Sequence, residues 1–457
     1  MAEKKKELNR RQFLGSTAAA SAAAFTIVPR HVLGGPGVKA PSDKLNIAGV
    51  GVGGMGKNNV KHCADAGENI VALCDVDWDY AGGVFKQYPK AKTYKDFRVM
   101  LEKQKDIDAV IVATPDHNHA VVAMAAMQLG KGVYVQKPLT RTPWEARMLT
   151  EAARKYKVAT QMGNQGHSGE GVRLISEWIW DGAIGEIREV HAFTNRPLWV
   201  QGVYRPHEKP NVPDTLSWDL WLGPSPYRPY HPAYVPWSWR GWWDFGCGAL
   251  GDMACHVLDP VFTALKLGYP TSVDASSPRI YVQRGMVKET MDETAPVSSV
   301  INYNFPARGN MPPVTIRWFD GGLMPPRPDE LEPGRRMGNG SSGVIFIGSK
   351  GKLMCGEYGD SPRLIPETRM KEYKQPPKTL PRVKGSHEEN WIRACKGGEP
   401  ADSNFDYSGP MTEAVVLGNI SLRMGKKLEW DGANLKVTND QAANALVKPE
   451  YRAGWSL

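Results

Sequence analysis

The sequence predicts an α/β protein: an N-terminal doubly wound parallel sheet, followed by a C-terminal α+β domain whose sheet is mainly antiparallel. Three observations carry this. Short apolar runs alternate with helical segments from Lys44 onward. A glycine-rich turn, Gly51-Val52-Gly53-Gly54-Met55-Gly56, joins the first run to the first helix. After Gln165 the pattern changes to a Trp- and Pro-rich stretch and then to alternating segments. The expected divisions are a leader and linker over 1–43, a nucleotide domain over 44–165 and a substrate domain over 166–457.

In chain order, strands are expected at Leu45 to Val50, Ile70 to Cys74, Ala109 to Ala113, Val133 to Val135 and Val158 to Gln161. Helices are expected at Met55 to Ala66, Ala120 to Leu129 and Pro143 to Tyr156. Strand–helix repeats of this length imply a parallel sheet covered on both faces. Beyond them come a helix from Gly171 to Asp181, a strand from Ile187 to Thr194 and a helix from about Gly246 to Leu267. Strands then follow at Ile280 to Val282, Ser298 to Phe305, Val314 to Phe319, Val344 to Ile347 and Lys352 to Met354. Gly348-Ser349-Lys350-Gly351 reads as a hairpin turn, Met324 to Ser342 as a loop, and His387 to Lys396 and Gly409 to Met424 as helices.

The glycine turn has the spacing of a dinucleotide-binding loop, where missing Cβ atoms admit backbone N–H groups to a pyrophosphate and let the helix pack on the strand. Asp75 ends the second strand, where a carboxylate accepts from an adenosine ribose. That favours NAD over NADP, because a 2′-phosphate would meet like charge. Asp77 competes for the role or caps the segment from Trp78. Three polar loops follow at strand ends, where ligands bind in open α/β sheets: Thr114-Pro115-Asp116-His117-Asn118-His119, Gln136-Lys137-Pro138 and Gly163-Asn164-Gln165-Gly166-His167. Asp116 and Asn118 are read equally as helix caps. His117 and His119 have the spacing of a metal pair without a third local ligand, so no metal is expected. Lys137, between a buried strand and a proline, is suited to polarise a hydroxyl. The expected cofactor contacts are Gly51, Gly53, Met55, Gly56, Asp75, Thr114, His119, Gln136, Lys137 and Asn164.

Nine of the fifteen tryptophans lie between Trp178 and Trp243. Trp237-Ser238-Trp239-Arg240-Gly241-Trp242-Trp243 has no regular apolar period, and indoles in such a loop suit the C–H face of a sugar. Trp239, Arg240 and Trp242, with His167, are the expected substrate contacts. Asp252 and His256 are four apart on one helix face. The imidazole suits a base that takes an alcohol proton, and Asp252 would orient hydroxyls or hold the ring.

Asn9-Arg10-Arg11-Gln12-Phe13-Leu14-Gly15, followed by a small-residue run to Val28, forms a twin-arginine export signal with cleavage expected after Ala22 to Ala24. The run is too short and polar for a membrane span. Export by this route carries folded proteins, so the cofactor would be loaded in the cytoplasm and kept in the periplasm. Of the formal charge of +9, the segment Met1 to Arg11 supplies five basic and two acidic residues. The remaining Lys and Arg form no stripe, so no nucleic-acid partner is inferred. The six cysteines are widely spaced without a Cys-x-x-Cys pair and read as buried thiols.

The first-turn glycines, Thr114-Pro115 with His119, Lys137-Pro138 and Asp252-x-x-x-His256 together resemble the glucose-fructose oxidoreductase/inositol dehydrogenase (Gfo/Idh/MocA) family from Leu45 to about Trp455. The resemblance implies Lys137, Asp252 and His256 as the catalytic group, a nicotinamide against the second sheet, and a homo-oligomer, dimer or tetramer. The family motif usually reads Glu-Lys-Pro; here Gln136 replaces the glutamate and supplies no charge. The function implied is NAD-dependent oxidation of a ring secondary hydroxyl of a sugar or glycoside to a keto-sugar. The alternatives are a redox-neutral NAD-dependent glycosidase, also known among exported members, and a non-catalytic NAD- and sugar-binding sensor.

Overall fold

The computed structural model describes residues 40–278, 281–284 and 287–457; the segment expected to be an export signal and Ile280 lie outside the described residues. Six strands, β1 (Asn46–Val50), β2 (Asn69–Cys74), β3 (Lys92–Tyr94), β4 (Ala109–Val112), β5 (Gly132–Gln136) and β6 (Thr160–Gly163), form a sheet in the order β3-β2-β1-β4-β5-β6. Every pairing is parallel. The order reverses between β1 and β4, which opens a crevice at their carboxyl ends. All of β4 and β5 is buried, as helices on both faces require.

Helix Pro143–Tyr156 has the expected bounds because its start is doubly specified: Thr142 and Glu145 form a capping box, and Pro143 takes the first position. Its end displaces the next strand. Lys157 adopts the left-handed conformation and Val158 N–H still bonds Ala153 O, so β6 begins at Thr160 rather than Val158. Helix Gly82–Gln87, β3 and helix Phe97–Lys103 were not expected from the sequence; the first opens on two glycines and β3 is three residues with two exposed. Helix Asp116–Gln128 starts four residues before the expected Ala120, because its polar first turn is buried.

The second sheet has nine strands in the order β15-β14-β13-β7-β12-β11-β8-β16-β17. In it are β7 (Ile187–Thr194), β8 (Ser272–Ser276), β11 (Val300–Phe305), β12 (Val314–Phe319), β13 (Ser342–Gly348), β14 (Gly351–Cys355), β15 (Arg363–Ile365), β16 (Leu428–Asp431) and β17 (Lys436–Val437). It is antiparallel apart from β7 beside β12. Gly348 faces Gly351 across the expected hairpin. β9 (Tyr281–Arg284) and β10 (Val287–Thr290) pair antiparallel in a separate two-stranded sheet. The single helix expected to about Leu267 is two, Gly248–Val257 and Asp259–Ala264, because Pro260 cannot continue the first. Helix Phe405–Met424 packs on helix Pro143–Tyr156, β6 and β8, and so joins the two sheets. Arg147 and Glu413 pair across it at 2.8 Å.

Five cysteines are buried thiols and Cys395 is half-buried. Among the described residues no helix is long and apolar enough to cross a membrane.

Candidate active site

A cleft of about 590 Å³ runs along the carboxyl ends of β1, β2, β4 and β5. At its centre Gly51 has φ +80°, and a Cβ there would lie 2.6 Å from Ala113 O; one on Gly56 would lie 2.2 Å from Gly51 O. The turn is therefore closed to side chains and open to a group approaching the backbone. Asp75 accepts from Gly53 N–H and Asp77 N–H, both at 3.0 Å, and burial pushes its carboxyl up to about 6. Asp77 accepts from Tyr80 N–H at 3.2 Å within a turn; no helix begins at Trp78, and the next one opens at Gly82. Bare glycine backbone at the N-terminus of helix Gly56–Asp65, with a carboxylate at the end of β2, fits a dinucleotide: pyrophosphate on the turn, ribose on Asp75.

At the other end of the cleft, Lys137 follows β5 and donates from Nζ to Asp252 Oδ1 at 2.8 Å and to Asp252 O at 2.9 Å. Arg240 Nε donates to the same Oδ1 at 3.2 Å. Burial works against the Asp252 charge, but Lys137 and Arg240 outweigh it and hold the carboxyl at about 2. His256 lies one turn further, edge-on to the Tyr358 ring at 4.9 Å between centroids. Burial, then the Lys137 charge, push its imidazole down to about 3, against the pull of Asp252. Its buried Nδ1 has no protein partner. Asp252 is thus engaged by two cations rather than holding the imidazole.

The polar turn Asp116–His119 positions this group. Asp116 accepts at 3.0 Å from Cys247 N–H, the residue that opens helix Gly248–Val257. It therefore caps the Asp252–His256 helix and not its own. Asn118 donates to Trp221 O at 3.0 Å, and His117 contacts Phe245 O and Trp221 O. His119 bridges Pro138 O and Thr114 O, each at 2.9 Å, and so ties two strand-end loops together. Gln136 donates to Asn59 at 3.0 Å.

Of the expected contacts, Gly51, Met55, Asp75, Thr114, His119, Gln136, Lys137, Trp239, Arg240, Asp252 and His256 line the cleft. Gly53 and Gly56 shape the turn behind it. Three expected contacts are engaged elsewhere. Asn164 and His167 do not line the cleft: the Asn164 amide donates to Asp259 and accepts from Ser403, and His167 Nδ1 contacts Asp259, all within 2.9 Å. Trp242 is 1% exposed in an aromatic core with Trp218, Trp221 and Tyr234, and donates to Ala233 O. In its place Trp199 and Trp237 form the wall, with Arg240 stacked 4.0 Å from Trp237 and 4.2 Å from Trp239. Glu357 and Tyr358, in the turn after β14, also line the cleft. Sequence reasoning missed them, since Gly356-Glu357-Tyr358-Gly359 carries no motif.

Residues 45–164 match the model of an oxidoreductase family with an NAD-binding Rossmann fold, and residues 180–283 match that family's C-terminal alpha/beta domain. The inositol 2-dehydrogenase of Serratia proteamaculans is 30% identical over 157 residues, 34% of this chain and 46% of that protein. A glycosyl hydrolase family 109 protein of Shewanella pealeana is 30% identical over 207 residues, 40% and 44% respectively. The chain spans less than half the length of these curated relatives. The WlbA dehydrogenase of Bordetella pertussis, solved with NADH and UDP-GlcNAcA, superposes with a TM-score of 0.58 at 19% identity, covering 85% of this chain and 99% of that one. At that identity the likeness is one of fold.

Proposed function

The chain belongs to the Gfo/Idh/MocA oxidoreductase family, and from that premise we propose that it is an NAD-dependent dehydrogenase oxidising a ring secondary hydroxyl of a sugar or glycoside. The observation that carries this is the Lys137–Asp252 ion pair beside a neutral His256, at the end of a cleft whose other end fits adenosine. His256, uncharged at neutral pH, takes the proton of the substrate O–H. Lys137, held by Oδ1 and the backbone carbonyl of Asp252, directs its charge at the developing alkoxide. The glycine turn and Asp75 would hold NAD, whose nicotinamide would supply the carbon that accepts the hydride. Trp199, Trp237 and Trp239 offer aromatic faces to the sugar ring.

The twin-arginine leader supports folded export with the cofactor aboard, and family membership supports a dimer or tetramer. A second reading, the redox-neutral glycosidase, is favoured by the similarity to the glycosyl hydrolase family 109 protein. Lys137→Ala and His256→Ala are each expected to lower kcat about 10²–10⁴-fold while NAD still binds by calorimetry. Near-normal rates in both variants would remove the proposed site.

A further inference from the structure

The strand order assigns a direction to the cleft. Reading outward from the glycine turn after β1, the carboxylate of Asp75 stands after β2, and the next strand out is β3. A dinucleotide with its pyrophosphate on the turn and a ribose on Asp75 therefore lays its adenine against the residues that follow β3, Lys95 to Phe97, which line the cleft there. Lys137 and His256 lie on the opposite side. Beside Phe97, 6.2 Å between ring centroids, the cleft wall is completed by Trp455, which comes from a remote part of the chain.

Trp455 is held firmly. Arg452 donates from Nε to Gly223 O at 3.0 Å and from Nη2 to Asp219 O at 2.8 Å, and it pairs with the Asp219 carboxylate. Its own N–H bonds Pro224 O at 3.0 Å. Tyr451 donates to Glu145 at 2.6 Å. On the other flank Arg98, itself paired with Asp96, lies 4.6 Å over the indole. The indole is half-buried, with Arg98 over its ring and Arg452 anchoring the chain that carries it, and it lines the cleft.

We propose that Trp455, anchored through Arg452, forms with Phe97 the adenine-binding wall of this cleft. The inference rests on the dinucleotide reading above. It gives segment 448–457 a function in cofactor retention, which suits a protein that would leave the cytoplasm with its cofactor bound.

The test is calorimetric binding of ADP-ribose, which carries the adenosine, the pyrophosphate and the second ribose but no nicotinamide, and of reduced nicotinamide mononucleotide, which lacks the adenosine. Trp455→Ala should weaken ADP-ribose about tenfold, the order of one base–aromatic contact, and leave the mononucleotide unchanged; Trp455→Phe should restore most of the affinity. Arg452→Ala, which does not touch the indole ring, should show the same selective loss and decides the matter if Trp455→Ala does not fold. ADP-ribose affinity within twofold of wild type, or equal loss of both ligands, overturns the inference. Failure of the wild-type protein to bind either ligand would instead overturn the dinucleotide reading itself.

Discussion

His256 and Asp116 are both buried titratable groups, and their environments move them in opposite senses. His256 is pushed down to about 3, so its neutral, proton-accepting form persists well below the ordinary imidazole value of about 6.5. The His256 ring protons, followed by NMR, should therefore show no titration between pH 8 and 6; a half-titration near 6.5 would contradict the site electrostatics. Asp116 is pushed up to about 7, chiefly by burial, with Asp252 adding to it and Arg240 and Lys137 opposing. A carboxyl raised in the folded state stabilises while protonated: its contribution is full below the ordinary carboxyl range and is lost as pH rises through about 7. Asp116→Asn keeps an acceptor for Cys247 N–H and does not titrate. Its melting temperature relative to wild type should thus rise between pH 5 and 8, and a constant difference would refute the assignment.

The glycine turn is the element on which the cofactor reading stands, and its glycines differ in what they tolerate. Gly51→Ala combines a positive φ with a Cβ 2.6 Å from backbone, so a loss of about 2 kcal/mol in urea unfolding and failure to bind NAD are expected. A Cβ on Gly53 would lie 2.2 Å from the ring of Tyr80, a side chain 43% exposed, so Gly53→Ala requires that ring to shift and should cost less than Gly51→Ala. This turn was legible in the sequence because strand, glycines and helix are contiguous. The Lys137, Asp252 and His256 group was legible because proline, glycine run and i, i+4 spacing are local signals. The region from Gly82 to Lys103 was not, since its helices are short and its strand is an exposed edge. Nor could Trp242 be told from Trp237, because a loop without apolar period gives no sign of which indole turns inward. Asn164 and His167 follow β6 in the manner of ligand residues, yet Asp259, from the distant second helix, draws both into a buried network.

Across the whole molecule, the first sheet is finished by chain that arrives more than two hundred residues later. Helices His387–Cys395 and Phe405–Met424 pack on its helices and on β6, and the second of these also reaches β8 of the other sheet. The cleft is in turn assembled from Gly51 to Trp455, with the nucleotide turn and the indole wall brought together by tertiary packing alone. Such an arrangement ties cofactor binding to the integrity of the fold, which is consistent with a protein proposed to be exported already folded. The most direct measurement mixes the purified protein with free sugars and chromogenic glycosides and follows reduced-nicotinamide absorbance and released aglycone together. The dehydrogenase account predicts a rise in reduced nicotinamide, stoichiometric with protein-bound cofactor, without aglycone. Sustained aglycone release with no net reduction would contradict it and establish the redox-neutral glycosidase instead.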